Sequence, residues 1–266
     1  MKFANLAIGA SLLAGMMTAP AMAATYSTSG DTTVFDSDGS KTFLAGPGYD
    51  LADILDGNAG APGGNVELNN GAASADLFAP ANTLTGNLDS GRVVTFSSLT
   101  NDDWFGSGNL AATWFADALD TYGATIRARA AAVFGMPVPD AAIFNAFNIA
   151  GGFARLSDPN IAYVGEVTFG LAAHSDAGNV NSLLAGLFAS EVVKVTLNGV
   201  TNYYYSFAAP TASGQTSLDG TKSHEGNYEF FIEDPQENES VPEPATLLGL
   251  MAVGGVFAAS KRKAIA

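Results

Sequence analysis

The chain has 266 residues, 47% of them hydrophobic, with 17 Phe, 8 Tyr and 2 Trp, enough apolar material to bury a core and to exclude wholesale disorder. It holds 11 Lys and Arg against 26 Asp and Glu, a net charge of −15, a balance that repels phosphate backbones and excludes nucleic-acid binding. With no Cys and only two His, it excludes thiol nucleophiles, Cys-based zinc or iron–sulfur centres and a His-rich metal site.

In chain order, residues 1–23 read as a secretory signal. Lys2 supplies a short positive region, an apolar run extends from Leu6 to Met17, and Ala21-Met22-Ala23 places small residues where signal peptidase cuts. The run is too short for a membrane anchor, so cleavage after Ala23 is expected. From Ala24 to Ser240 the body then carries 7 basic against 25 acidic residues, a net charge of −18. An exported body without disulfides must rest on its core, which this length permits.

The stretch from Ala24 to Ser107 is rich in Gly, Asn, Asp and Ser. "STSGDTTVFDSDGS" (residues 27–40) predicts one short strand at most, "GNAGAPGG" (Gly57 to Gly64) a loop, and "NVELN" and "RVVTFSSL" (Arg92 to Leu99) strands. The best helix follows in "NLAATWFADALDTY" (Asn109 to Tyr122). Leu110, Trp114, Phe115, Ala118, Leu119 and Tyr122 share one face, and Gly123 is an expected stop. Helical character resumes in "TIRARAAAVFG". A second helix is expected to start at Pro139-Asp140 and to end at Gly151-Gly152. The period then changes: "IAYVGEVTFGLAAH", "SEVVKVTL", "TNYYYSF" and "NYEFFIE" (Asn227 to Glu233) read as strands. Asn198-Gly199 between two of them is a strong hairpin signal. Helices grouped before strands predict an α+β class, with one globular domain at 24–233, a central helical part and an antiparallel sheet.

"DPQENES" (Asp234 to Ser240) reads as an acidic spacer, and "VPEPATLLGLMAVGGVFAASKRK" (Val241 to Lys263) follows it. Residues 245–260 carry no charge and are expected to form a single transmembrane helix; at about 1.5 Å per residue they span about 24 Å, which snorkelling Lys and Arg stems extend. Lys261, Arg262 and Lys263 form a basic stop expected to stay cytoplasmic, with the body outside. Pro242 and Pro244 hold the backbone extended and present Glu243 at the membrane face.

The ordered triple of Val241-Pro242-Glu243-Pro244, apolar span and basic stop, behind a signal peptide, resembles the PEP-CTERM sorting signal of bacterial exported proteins. The resemblance implies recognition by an exosortase, an integral-membrane protease, with cleavage near the motif and release to the cell surface or the extracellular matrix. The pieces "NDDWFG", "TWFADAL", "GGFARLSDPNIAYV", "EVVKV", "YYSFAAPTASGQ" and "HEGNYEF" also resemble a largely cyanobacterial group of PEP-CTERM proteins of unknown function. That resemblance covers most of Asp102 to Phe231 and implies no activity and no site residues.

Three chemistries remain to be weighed for the body. A hydrolase would need His174 (beside Ser175 and Asp176) or His224 (between Ser223 and Glu225) in a triad, yet sequence neighbours point apart and no Gly-x-Ser-x-Gly elbow occurs. Calcium would use Asp36 and Asp38 in "DSDGS", with Asp102 and Asp103 as further oxygen donors. Glycine at the fourth loop position and Pro47 at the twelfth rule out an EF-hand, and a turn closed by Asp side chains explains the same residues. Trp104-Phe105, Trp114-Phe115 and Tyr203-Tyr204-Tyr205 could stack on sugars, although core packing explains them more simply.

The expectation is therefore a non-enzymatic surface or matrix protein with no cofactor, acting in adhesion or exopolysaccharide association. Its partners would be signal peptidase, an exosortase-type protease and, before processing, the membrane. The alternatives are a secreted hydrolase and a calcium- or glycan-binding module.

Overall fold

The computed structural model describes residues 24–68, 77–173, 184, 186–217 and 226–232. The expected signal peptide, both histidines, the spacer, the sorting motif and the 245–260 helix lie outside the described residues.

The first part of the body contributes strands β1 (Thr25–Ser29), β2 (Thr33–Ser37) and β3 (Lys41–Leu44), and the short helix α1 (Leu51–Ile54). Then come β4 (Gly57–Asn58), β5 (Ala61–Pro62), β6 (Gly64–Glu67), β7 (Thr83–Asn87) and β8 (Val93–Ser97). The helical part is α2 (Asn101–Phe105), α3 (Leu110–Phe134), α4 (Asp140–Ile149) and α5 (Gly152–Arg155). The second half adds β9 (Asn160–Val164), β10 (Thr168–Ala173), β11 (Val193–Leu197) and β12 (Val200–Tyr204), then β13 (Thr211–Ala212), β14 (Thr216–Ser217) and β15 (Gly226–Phe231).

These elements form a single globular domain of mostly antiparallel sheets with some helices, but not around one sheet. A five-stranded sheet, in the order β1-β7-β8-β11-β12, faces an eight-stranded sheet, in the order β13-β15-β10-β9-β6-β2-β3-β14. Among the described pairings, only β14 with β3 is parallel. The two sheets share one core. Leu84, Val94, Phe96, Val193, Val195 and Leu197 come from the narrow sheet, and Val34, Val66, Ile161, Phe169, Leu171 and Tyr228 from the wide one. Phe169 is its hub, with ring centroids 5.0 Å from Phe96, 5.3 Å from Tyr204 and 5.2 Å from Phe230. Offset and edge-on ring contacts of this kind add to the burial of each aromatic side chain.

The single strand expected in residues 27–40 is corrected to parts of two, with a third following at β3. β1 is an edge strand of Thr, Tyr and Ser whose side chains alternate between solvent and partial burial. Such a strand needs few apolar residues, so hydrophobic alternation does not reveal it. The same holds for β7, "TLTGN", where Leu84 alone supplies a large buried apolar side chain. The strand signal in "IAYVGEVTFGLAAH" resolves into the β9–β10 hairpin, whose register shifts at Gly170/Leu171. At Gly170 a Cβ would lie 2.1 Å from the Tyr163 ring, so the close approach of the two strands requires glycine.

Gly123 does not stop the helix, which runs on unbroken to Phe134. Ile126 and Ala130, beyond that glycine, are buried in the same apolar cluster as Ile143 and Phe147 of α4. That burial offsets the roughly 1 kcal/mol that a helical glycine costs. The stop is Gly135, whose φ of +71° suits a residue without a Cβ. Pro139 caps α4 in extended geometry, as expected, and α4 ends just ahead of Gly151. Arg127 reaches back from α3 to hold both carboxylate oxygens of Asp140 at 2.8 Å. The β11–β12 turn has φ of +50° at Asn198 and +83° at Gly199, the two positive angles of a type I′ hairpin.

Candidate functional site

The helices have their own core, distinct from that between the sheets. Trp104, Trp114, Phe115, Phe147 and Phe153 are buried together, with Trp114 stacked on Phe147 at 5.4 Å and Trp104 4.9 Å from Phe153. The Trp104 indole donates to the Ser157 hydroxyl at 2.6 Å, and that hydroxyl donates on to the Phe153 carbonyl at 2.7 Å. The tryptophans are therefore internal, and neither offers a face to a sugar; of the five, none is more than 7% exposed.

Tyr203 and Tyr204 alternate across the end of β12 as strand geometry demands, and Tyr205 follows directly after it. Tyr204 packs into the core between the sheets, whereas Tyr203 and Tyr205 turn to the helices. Both outward hydroxyls are spent on carboxylates: Tyr203 donates to Asp103 Oδ1 at 2.8 Å and Tyr205 to Asp117 Oδ2 at 2.6 Å. All three rings are half-buried and serve packing.

Asp103 is a buried charge that accepts four hydrogen bonds. It is the third residue of α2 and forms a capping box with Thr100, accepting from the Thr100 N–H at 2.9 Å and its hydroxyl at 2.8 Å. Its other oxygen accepts from Lys194 Nζ at 2.8 Å and from Tyr203. Lys194 and Tyr203 are cross-strand partners on β11 and β12, so one register places both donors on the side of the narrow sheet that meets the helices. Burial opposes ionisation of Asp103, yet the Lys194 ammonium and the Thr100 and Tyr203 donors outweigh it and hold its pKa below the ordinary carboxylate value. Burial and the neighbouring carboxylate push the Tyr203 phenol up to about 12. A carboxylate kept ionised and a phenol kept neutral form a brace between helix and sheet, not a proton-transfer pair at neutral pH. The second acidic candidate, Asp102, lies beside it in the first turn of α2.

Of the calcium candidates, Asp38 closes the turn between β2 and β3, and Asp36 is a paired residue of β2 itself. Asp38 Oδ1 accepts from the Ser40 N–H and hydroxyl and from the Lys41 N–H, all within 2.9 Å, and Asp36 accepts from the Ser37 N–H at 2.7 Å. Those bonds hold the Asp38 carboxyl below its ordinary pKa, the Ser40 hydroxyl contributing most. Among the described residues, no group of three or more His, Asp or Glu is arranged to hold a metal ion.

Among the concavities of the described residues, two stand out. One is a shallow groove of about 290 Å³ between α3 and α4, lined by Phe115, Leu119 and Phe144 with Asp140 at its rim. The other, also about 290 Å³, lies at the start of β1, where Ala24 and Tyr26 meet Asp53, Asp56, Asp89 and Glu166. The first lies between two consecutive helices, whereas no sequence motif announces the second, because its walls come from segments far apart in the chain.

Among the described residues no helix is long and apolar enough to cross a membrane. No curated protein and no solved structure matches the chain. One family does: the PEP-CTERM protein-sorting motif matches residues 240–263, the stretch containing Val241-Pro242-Glu243-Pro244 and Lys261-Arg262-Lys263. The chain thus carries an exosortase-processed sorting signal of an exported protein, anchored transiently in the membrane and then placed at the cell surface.

Proposed function

We propose that this is a non-catalytic surface or extracellular-matrix protein whose folded part, residues 24–233, is cargo for the sorting signal at 241–263. In this reading signal peptidase cuts after Ala23, and residues 245–260 hold the chain in the membrane. The exosortase then reads Pro242-Glu243-Pro244 and separates the body from its anchor along the 234–240 spacer or the motif. The single observation that carries the proposal is the sorting motif matched at 240–263. The architecture supports it: a body that builds two aromatic cores without a disulfide is suited to export in either redox state. Adhesion or association with exopolysaccharide is the proposed role at the destination. A net charge of −18 between Ala24 and Ser240 favours polymers that are neutral or bridged by cations over polyanions. The likeness to a largely cyanobacterial group belongs to the same proposal.

The test is a pulse-chase in the native host, with an epitope tag in the body and Pro242-Glu243-Pro244 replaced by alanines. The wild-type chain should shorten and leave the membrane fraction, and the variant should accumulate there at full length. Normal shortening of the variant would refute recognition of this motif.

A further inference from the structure

The cavity at the start of β1 has an unusual wall. Ala24, the residue directly behind the Ala21-Met22-Ala23 sequence, lines it together with Asp53 and Asp56 at the end of α1, Asp89 in the β7–β8 turn and Glu166 in the β9–β10 turn. Its position is fixed by pairing. Thr25 lies opposite Asn87 in the β1–β7 register, with Asn87 Nδ2 donating to the Thr25 hydroxyl at 3.2 Å. Ala24 therefore comes opposite Leu88, next to Asp89. Tyr26 closes the other side by donating its hydroxyl to the Val164 carbonyl at 3.2 Å.

We propose that this cavity is the seat of the mature amino terminus: removal of residues 1–23 turns the Ala24 amide into an ammonium, which the surrounding carboxylates hold. The proposal rests on the processing reading above and extends it, since the cut would itself complete an ion cluster in the fold. The charges facing the site are Asp53, Asp56, Asp89 and Glu166, with Arg92 as the opposing cation. Arg92 bonds to the Glu166 carbonyl and pairs with its carboxylate at 3.3 Å, while Glu166 also accepts from the Ser90 N–H at 3.2 Å. Glu166 is thus partly neutralised, which leaves Asp53, Asp56 and Asp89 as the carboxylates not satisfied by the guanidinium. The Tyr26 phenol reports the same field: burial first, then Asp89, Glu166 and Asp56, push its pKa up to about 12. Among the described residues these carboxylates form no group that could hold a metal ion, and Ala24 lies in the same wall.

Nearby carboxylates favour the charged form of an amine, so the Ala24 ammonium should titrate above the ordinary ~7.7–8.0. The fold contribution then has a definite sign. It is fully present below about pH 7.7 and is lost as pH rises through the higher pKa of the folded chain. The experiment uses the processed chain with its native carboxy terminus in detergent. Mass spectrometry reads the first residue, and the α-amine is titrated by NMR after ¹³C reductive methylation. The expected result is an Ala24 start with a raised pKa. That pKa should fall back to the ordinary range in Asp53→Asn/Asp56→Asn/Asp89→Asn and stay raised in the remote Asp120→Asn. A first residue other than Ala24 overturns the proposal at the processing step. An Ala24 start with an ordinary pKa, or one the triple variant leaves unchanged, overturns the seat and leaves the processing reading intact.

Discussion

Replacing Asp103 with Ala removes a buried carboxylate that ties the helices to the narrow sheet. The side chain is 7% exposed and accepts four hydrogen bonds, two of them from Lys194 and Tyr203. Deleting one partner of a fully buried ion pair costs about 3–5 kcal/mol, because the other charge is left unpaired. Lys194 is 30% exposed, so water recovers part of its solvation, and the loss of the helix cap adds about 1 kcal/mol. The expected total is about 3 kcal/mol, or roughly 6–12 °C in Tm for a body of this size. Asp103→Asn keeps an acceptor but loses the charge, and should cost about half as much. The pH dependence has a fixed sign. The folded pKa of Asp103 lies below its unfolded value, so its contribution is present above about pH 4 and disappears as pH falls through the lower folded value. Urea melts of wild type and Asp103→Asn should therefore converge towards pH 3. Trp104, one residue away and buried, supplies a fluorescence signal. A cost below about 1 kcal/mol for Asp103→Ala at pH 7 would show the brace to be an ordinary screened surface pair.

Gly170→Ala should destabilise the chain by about 2 kcal/mol or more, because its Cβ would meet the Tyr163 ring at 2.1 Å; the paired change Gly170→Ala/Tyr163→Leu should recover part of the loss in thermal melts. Trp114→Ala, emptying the centre of the helical core at a position 1% exposed, should cost about 3–5 kcal/mol by urea denaturation, and a cost under about 1 would contradict a packed core there. Millimolar calcium should leave the Tm unchanged in both wild type and Asp38→Asn; a calcium-dependent rise that this variant abolishes would contradict the turn role of Asp38.

What the sequence made legible was local. Asn198-Gly199 carried its hairpin because two positive φ angles are a property of the two residues themselves. Pro139-Asp140 carried a helix start, and the Trp114 face of α3 showed in its spacing. Non-local features stayed hidden. β1 and β7 pair through Thr, Ser, Gly and Asn, and their strand state depends on neighbours more than on apolar pattern. Gly123 read as a stop because Ile126 and Ala130 meet α4 only in the folded chain. Division of the strands into two facing sheets follows from long-range pairing that no local period encodes. Asp103 finds Lys194 and Tyr203 at separations of 91 and 100 residues, so no local pattern marks it as a buried brace. The sorting motif stood out for the opposite reason: a membrane protease reads it as a linear segment, so its meaning is confined to contiguous residues.

Export and removal of the sorting signal are tested most directly by the intact mass of the protein recovered outside the cells that make it. The expected mass is that of a chain beginning at Ala24 and lacking Lys261-Arg262-Lys263. Recovery of the chain only inside the cells, still carrying Met1 and the basic stop, would contradict both.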